Sequence, residues 1–307
     1  MDKEEAKRML DELLQEAERS ERCYTREEVD AHIRELMAPE NFVVLTGDTH
    51  GRFERIVQFT KEHELEKGNT LIILGDAGIN FRSEKGDRPN KELLASLPIT
   101  LFCIHGNHEK RPGPKLGYVQ QEYRGGKVWV QPEYPNIVFA IDGEVYNFCG
   151  YECIVIGGAY SIDKYYRLSK GWSWFPDEQP SDEIKAKVER VLEERNWKID
   201  VVLSHTVPLR YELTEAFIPG IDQSQVDKST EEWLGEIEKK LKYERWYAGH
   251  YHTEKVIDKL RIMFNDFTVM PSHLNIEDEK AFIEKMERQA EMVEALGLLR
   301  QEAGPGQ

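Results

Sequence analysis

Seven residues of this chain have the types and placement to hold metal ions: Asp48, His50, Asp76, Asn107, His205, His250 and His252. They lie in five short blocks, "GDTHG" (47–51), "GDAG" (75–78), "GNHE" (106–109), "SH" (204–205) and "GHYH" (249–252). Four blocks open with glycine, which clears room beside the polar residue that follows. Asp48 and His50 are two residues apart, so on an extended chain they face one spot. The set offers carboxylate, imidazole and amide oxygen without thiolate, a mixture suited to manganese, iron or zinc. Two aspartates, one asparagine and four histidines exceed what one tetrahedral ion takes. They fit a pair of divalent or trivalent ions sharing a bridging carboxylate. Two such cations form a clamp for in-line displacement at phosphorus.

A lone histidine is more often hydrogen-bonded than metal-bound, and each block alone is a weak signal. Five of the nine histidines nevertheless fall in these blocks, the fifth being His108. His32, His63 and His273 lie outside and read as surface residues, and His105 reads as structural, facing the other side of its strand.

The elements that must position these residues follow from periodicity. "FVVLTGD" (42–48), "TLIILGD" (70–76) and "ITLFCIHGNHE" (99–109) read as buried strands, separated by helices at 53–65 and in "KELLAS" (91–96). That β-α-β-α-β order predicts parallel strands with covered faces. In open α/β sheets ligands gather at the carboxyl ends of the strands, so the five blocks should converge. Residues 128–161 read as short antiparallel strands broken by Pro and Gly. Helices follow at 181–197 and from Ser229, where Ser229 and Glu232 form a capping box. The strands before His205 and His250 complete the pattern.

Residues 1–39 read as a helical N-terminal extension, with "TREE" (25–28) as a capping box and two apolar faces, Leu10-Leu13-Leu14 and Val29-Ile33-Leu36. It serves either as a docking arm, through which the chain would self-associate, or as a hairpin packed on the domain's side. Residues 40–270 are expected to form the domain that carries the five blocks and any catalysis. Residues 271–307 read as a C-terminal helix with a disordered tail.

No apolar run is long enough to span a membrane, and the charged N-terminus lacks a signal-peptide core, so a cytoplasmic setting is expected. The net charge of −16 argues against a nonspecific grip on nucleic acid. Attraction to a phosphate ester must therefore come from a local site. Four scattered cysteines do not make a disulfide scaffold, and Cys149 and Cys153 are expected to face neighbouring strands in a reduced core.

Taken together and in this order, the blocks resemble the calcineurin-like metallophosphoesterases, whose pattern runs GDxHG, GDxx, GNH with Asp or Glu, a lone His, and GHxH. The resemblance covers about residues 41–265. It implies an α/β fold, a four-layer α/β/β/α sandwich with mixed sheets, and a dinuclear hydrolase. It places Asp48, His50, Asp76 and His252 on one metal, and Asp76, Asn107, His205 and His250 on the other, with Asp76 bridging. A hydroxide between the ions would attack phosphorus, while His108 protonates the leaving oxygen or stabilises the transition state and Asn107 touches a phosphate oxygen. The implied substrate is a phosphorylated small molecule, nucleotide or phosphoprotein. A phosphomonoester leads, with a phosphodiester as the alternative and a non-catalytic scaffold as a remote one.

Protein phosphatases of this family extend the second block to GDxxDRG, where Asp orients the catalytic histidine and Arg grips phosphate. Here Ile79 and Asn80 stand instead, which leaves Glu109 or a backbone carbonyl to orient His108. Candidate phosphate-gripping cations are Arg52, Lys110 and Arg111, and their convergence would favour a dianionic monoester. In "GGAYSIDKYYR" (157–167), Tyr160 and Arg167 are candidate substrate contacts, and residues 171–183 form either a wall over the site or an inward plug.

Overall fold

Alternate residues of each buried strand enter different apolar clusters, and that alternation sorts the fold into layers. In a computed structural model, residues 43–217 and 222–270 are described. The features expected within 1–39 and 271–307 lie outside them. Val43 and Leu45 of β1 (Val43–Thr46), Ile72 of β2 (Thr70–Ile73) and Phe102 of β3 (Thr100–Cys103) join one cluster, while Val44, Leu71, Ile73 and Leu101 join a second. Strands β4 (Val119–Tyr123), β5 (Gly126–Val130) and β6 (Ile137–Ala140) follow, then β7 (Val145–Phe148) and β8 (Tyr151–Ile156). Cys153 and Val155 of β8, Leu203 of β9 (Val201–Ser204) and Tyr247 of β10 (Arg245–Ala248) share the first cluster. Ile154, Val202 and Trp246 enter a third. The first cluster is thus the seam between two sheets.

Helices cover the outer faces. Ile56 of α1 (Glu54–Glu62) and Leu94 of α2 (Glu84–Ala95) pack on the first sheet. After α3 (Lys164–Ser169), Val188 and Leu192 of α4 (Asp182–Glu194) and Leu234 and Ile237 of α5 (Ser229–Lys240) pack on the second. The architecture is the expected α/β/β/α sandwich. With β11 (Lys255–Ile257), β12 (Leu260–Ile262) and β13 (Phe267–Met270), the sheets run β13-β1-β2-β3-β6-β5-β4 and β11-β12-β10-β9-β8-β7. Both are mixed: β1, β2, β3 and β6 are mutually parallel, as are β8, β9, β10 and β12, and antiparallel strands flank them.

Several local expectations need correction. The stretch expected to be antiparallel divides between the sheets: β6 lies parallel to β3, and β7 and β8 open the second sheet. Helix α2 begins at Glu84, capped by the Ser83 side chain, and runs through Gly86 and Pro89, which disguised its first turns. Ser229 does not cap α5; its own N–H donates to the Asp227 carboxylate at 2.9 Å. Cys153 is buried but Cys149 is exposed in the turn after β7, with φ of 52°. Among the described residues no helix is long and apolar enough to cross a membrane.

Candidate metal centre

Strands β1, β2, β3, β9 and β10 all deliver their carboxyl ends to one place, but the pleat is not what aims the side chains. The chain leaves β1 at Thr46, and His50, Asp76, His250 and His252 have φ of 48°, 46°, 68° and 50°. Left-handed backbone at non-glycine residues costs on the order of 1–3 kcal/mol each and persists only where the surroundings impose it. Asp48 and His50 therefore meet through a turn, not through the two-residue repeat of an extended strand. That turn is zipped to the next block: the Thr49 and His50 N–H groups donate to Asp76 O at 3.2 and 2.8 Å, and Thr49 Oγ1 donates to Ala77 O at 2.7 Å. Two glycines admit close neighbours. A Cβ at Gly75 would lie 2.0 Å from His205 Nδ1, and one at Gly106 would lie 2.0 Å from Asp76 Oδ1.

The donor atoms fall into two adjoining groups. In the first, His50 Nε2 and His252 Nε2 are 2.8 Å apart, and Asp48 Oδ2 lies 3.2 Å from His252 Nε2 and 3.7 Å from His50 Nε2. In the second, Asn107 Oδ1 lies 2.8 Å from His205 Nε2 and 3.1 Å from His250 Nδ1. Asp76 Oδ2 adjoins the second group, 3.8 Å from His205 Nε2, and lies 3.9 Å from His50 Nδ1, the ring nitrogen opposite the one that faces Asp48 and His252. The other oxygens are tethered: Asp48 Oδ1 accepts the His250 N–H at 2.9 Å, and Asp76 Oδ1 accepts the His108 N–H at 2.8 Å. Asp48, Asp76 and His205 also come within 4.8 Å of one another, so Asp48 borders both groups.

Hydrogen-bond accounting tests whether these residues fit a cation. His205 Nδ1 lies 2.8 Å from Leu74 O, an acceptor only, so Nδ1 carries a proton and Nε2 is the ring nitrogen that faces the site. Asn107 Nδ2 donates to Ser161 Oγ at 2.8 Å, which turns Oδ1 toward Nε2. An imidazole nitrogen and an amide oxygen thus adjoin in a fully buried place, each held by a bond on its far side, as ligands of one metal ion are. The charge states agree. Burial opposes ionisation of Asp48, yet its hydrogen bond with His252 and the nearby His205 and His50 hold it well below the usual carboxylate range. The same hydrogen bond raises His252, whereas burial lowers His50 and pushes His250 far down.

His108 sits beside this centre, its ring centroid 5.9 Å from that of His50. Burial lowers its pKa, and the charge of Asp76 opposes that shift. Glu109 does not orient it: one carboxylate oxygen accepts the Gly106 N–H at 3.1 Å and the other the Gly78 N–H at 3.2 Å, tying two blocks together. Ile79 is buried in the outer core, and Asn80 Oδ1 accepts the Tyr118 hydroxyl at 3.0 Å.

The candidate cations do not converge as a trio. Arg52 lines a cleft of about 430 Å³ with Asp48, His50, Arg55, His252 and Phe264. Lys110 is exposed, and Arg111 is bound to Asp142 and to Asp177 O. Tyr160 is buried with Lys164 Nζ 5.5 Å over its ring, and Arg167 pairs with Asp163 at 2.7 Å. Residues 171–183 are neither wall nor plug throughout, since Trp172 is exposed, Phe175 is buried and Trp174 Nε1 donates to Glu178 at 2.7 Å.

Three supporting residues escaped the sequence reading. Ser161 fixes the Asn107 amide. Arg55 donates to the carbonyls of Gly47, Asp48 and Asn265, each at 3.1 Å, and to the Thr46 hydroxyl. Glu254 Oε1 accepts three successive N–H groups, Phe264 to Asp266, at 2.8, 2.6 and 2.9 Å, which holds Phe264 stacked on His252. Arg55 and Glu254 lie within four residues of a motif block, and Ser161 lies in the candidate substrate loop 157–167.

A family model for calcineurin-like phosphoesterases matches residues 43–254. No curated protein sequence matches the chain. Among solved structures, TT1561 of Thermus thermophilus is similar at 10% identity and a TM-score of 0.44, covering 78% of this chain and 95% of its own. The phosphopantetheinyl hydrolase PptH of Mycobacterium tuberculosis is similar at 15% identity and a TM-score of 0.42, covering 73% of this chain and 89% of its own.

Proposed function

The chain belongs to the calcineurin-like phosphoesterase family, hydrolases of phosphoric esters, and we propose from that premise that it is a dinuclear phosphomonoesterase. Asp48, His50, Asp76 and His252 would hold one ion, and Asp76, Asn107, His205 and His250 the other. The observation that carries this reading is the pair of adjoining ligand groups bordered by the carboxylates of Asp48 and Asp76. Manganese, iron or zinc bound there supplies Lewis-acid activation of water and neutralises phosphoryl charge. The residues themselves orient and tether. Asp48 and Asp76 each fix one oxygen on a backbone N–H and present the other to the imidazoles, while Ser161 holds the Asn107 amide in the ligating orientation. His108, a non-ligand, delivers a proton to the departing oxygen or stabilises the charge that develops there. Arg52 and Arg167 are the proposed phosphate contacts, with Tyr160 supporting the loop that carries Arg167. A cytoplasmic setting, with a phosphorylated small molecule, nucleotide or phosphoprotein as substrate, completes the reading.

One observation favours a second reading, a phosphodiesterase: neither the exposed Lys110 nor Arg111, engaged with Asp142, joins Arg52 in lining the cleft, so few cations await a dianion there. Hydrolysis of p-nitrophenyl phosphate and bis-p-nitrophenyl phosphate, with manganese and then with chelator, separates the readings. Manganese-dependent turnover of the monoester is expected, a preference for the diester selects the second reading, and silence on both with two ions bound contradicts the assignment.

A further inference from the structure

Of the seven large hydrophobic side chains exposed among the described residues, four fall within one stretch of eight residues: Tyr165, Tyr166, Leu168 and Trp172, at 65%, 56%, 50% and 56%. Exposed apolar groups clustered in this way mark an interaction site, whereas scattered ones are ordinary. The surrounding segment, "KYYRLSKGWSW" (164–174), carries three cations and four aromatic rings and no carboxylate. In a chain of net charge −16 it is a local island of positive charge.

The backbone holds these side chains outward on a fixed base. Phe175 is buried and Trp174 Nε1 donates to Glu178 at 2.7 Å, which seats the far end of the segment. Between that seat and α3 the chain stands clear of its surroundings: a Cβ at Gly171, where φ is 66°, would meet nothing within 4 Å. Tyr166 and Trp172 meet edge to face with centroids 5.7 Å apart, which braces the indole and leaves at least one of its faces outside the pair. Lys170 Nζ lies 5.5 Å from the Tyr166 centroid and Lys164 Nζ 5.9 Å from that of Tyr165, so a cation accompanies each tyrosine. The near end starts beside the metal centre. Ser161, which accepts from Asn107 at 2.8 Å, also accepts the Lys164 N–H on its carbonyl at 3.0 Å.

Open rings interleaved with cations are the combination that takes single-stranded nucleic acid, because every base has a π face and every linkage an anion. A lipid surface is the other anionic partner of such a patch, but insertion needs aliphatic bulk, and Leu168 is the one aliphatic side chain among the four. We propose that this surface binds a short single-stranded stretch of nucleic acid, with bases stacked on Trp172 and Tyr165 and phosphates beside Lys164 and Lys170. The overall negative charge bars a broad grip, so the contact is confined to the few nucleotides the segment can reach. The assignment concerns binding and goes beyond hydrolysis: it holds whether or not the strand is cleaved.

The test is fluorescence anisotropy of the manganese-loaded full chain with a fluorescein-labelled oligothymidylate of about ten nucleotides, its linkages made phosphorothioate to resist hydrolysis. The wild type should bind it saturably, and a duplex of the same length, whose bases are already stacked, should bind much more weakly. Trp172→Ala and Tyr165→Ala should each weaken binding roughly 5- to 100-fold, while Trp172→Phe, which keeps a ring, should recover part of the loss. Both side chains face solvent, so these variants keep the fold, and their metal content should equal that of the wild type. With three cations in the segment, the slope of log K against log salt should be no steeper than about −2. No saturable binding by the wild type, unchanged affinity in Trp172→Ala, or equal affinity for the duplex overturns the proposal. Saturable binding to phosphatidylglycerol vesicles that Trp172→Ala abolishes, with the oligonucleotide ignored, also overturns it and assigns the patch to lipid. A wild type that binds the strand yet hydrolyses neither p-nitrophenyl ester fails the phosphoesterase reading and leaves this one standing.

Discussion

Replacing Ser161 with alanine removes one hydroxyl that touches no reacting atom, yet the geometry makes it a sharp test of the second metal group. Ser161 and Asn107 are 1% and 2% exposed, and their 2.8 Å bond is what fixes the amide's orientation. Without it, Asn107 Nδ2 is a buried donor lacking its acceptor, a loss of about 1–3 kcal/mol. The amide can then regain a partner only by turning its nitrogen toward His205 Nε2, which withdraws Oδ1 from the ion. Loss of such an outer tether typically weakens metal binding by about 10–100-fold, equivalent to roughly 1.4–2.8 kcal/mol, and so accounts for most of the hydrogen bond. Calorimetric titration of the metal-free protein with manganese should show one weakened and one nearly unchanged site in Ser161→Ala, and Ser161→Thr, which keeps the hydroxyl, should recover part of the affinity. Two sites of wild-type affinity in Ser161→Ala would refute the argument that the Asn107 carbonyl oxygen is held in place as a ligand.

His108→Ala should lower turnover by about 10²–10⁴-fold with metal content intact, and metal loss measured by plasma emission would instead make His108 a ligand. Arg55→Met removes a guanidinium that braces the carbonyls of Gly47 and Asp48, and should weaken manganese binding about tenfold in a folded protein; unchanged affinity would confine Arg55 to a purely structural role. Burial raises Glu231 from its ordinary 4.5 to about 7, against the bond from Thr206. A carboxyl whose folded pKa lies above its unfolded one stabilises fully below the lower value and loses that contribution as pH rises through the higher. Between pH 5 and 8 the wild type should therefore lose about 3 kcal/mol more stability than Glu231→Gln in urea unfolding, and parallel pH profiles would refute the shift.

What the sequence made legible is what periodicity and residue type encode. The alternation of Val43-Val44-Leu45 and its counterparts in β2, β3, β8 and β9 announces strands buried on both faces, and hence the layers. The ligand candidates stood out because Asp, Asn and His at the ends of apolar runs have little other reason to be there. The aim of those side chains was not legible. It comes from left-handed backbone at His50, Asp76, His250 and His252, residue types enriched in that conformation but far more often found outside it. Arg55, Ser161 and Glu254 were invisible for a different reason: each acts by bonding backbone, hydroxyl or amide groups, and neither charge nor spacing announces such a partner. Arg111 failed as a phosphate contact because Asp142, a residue 31 positions away, claims it first.

That Asp76 would serve both metal groups is the central claim. Metal content of the purified protein loaded with manganese, set beside Asp76→Ala, tests this directly. Two ions per chain in the wild type, with both sites depleted and hydrolysis of p-nitrophenyl phosphate abolished in the variant, is the predicted result. An Asp76→Ala protein that keeps two ions and near-normal turnover would contradict it.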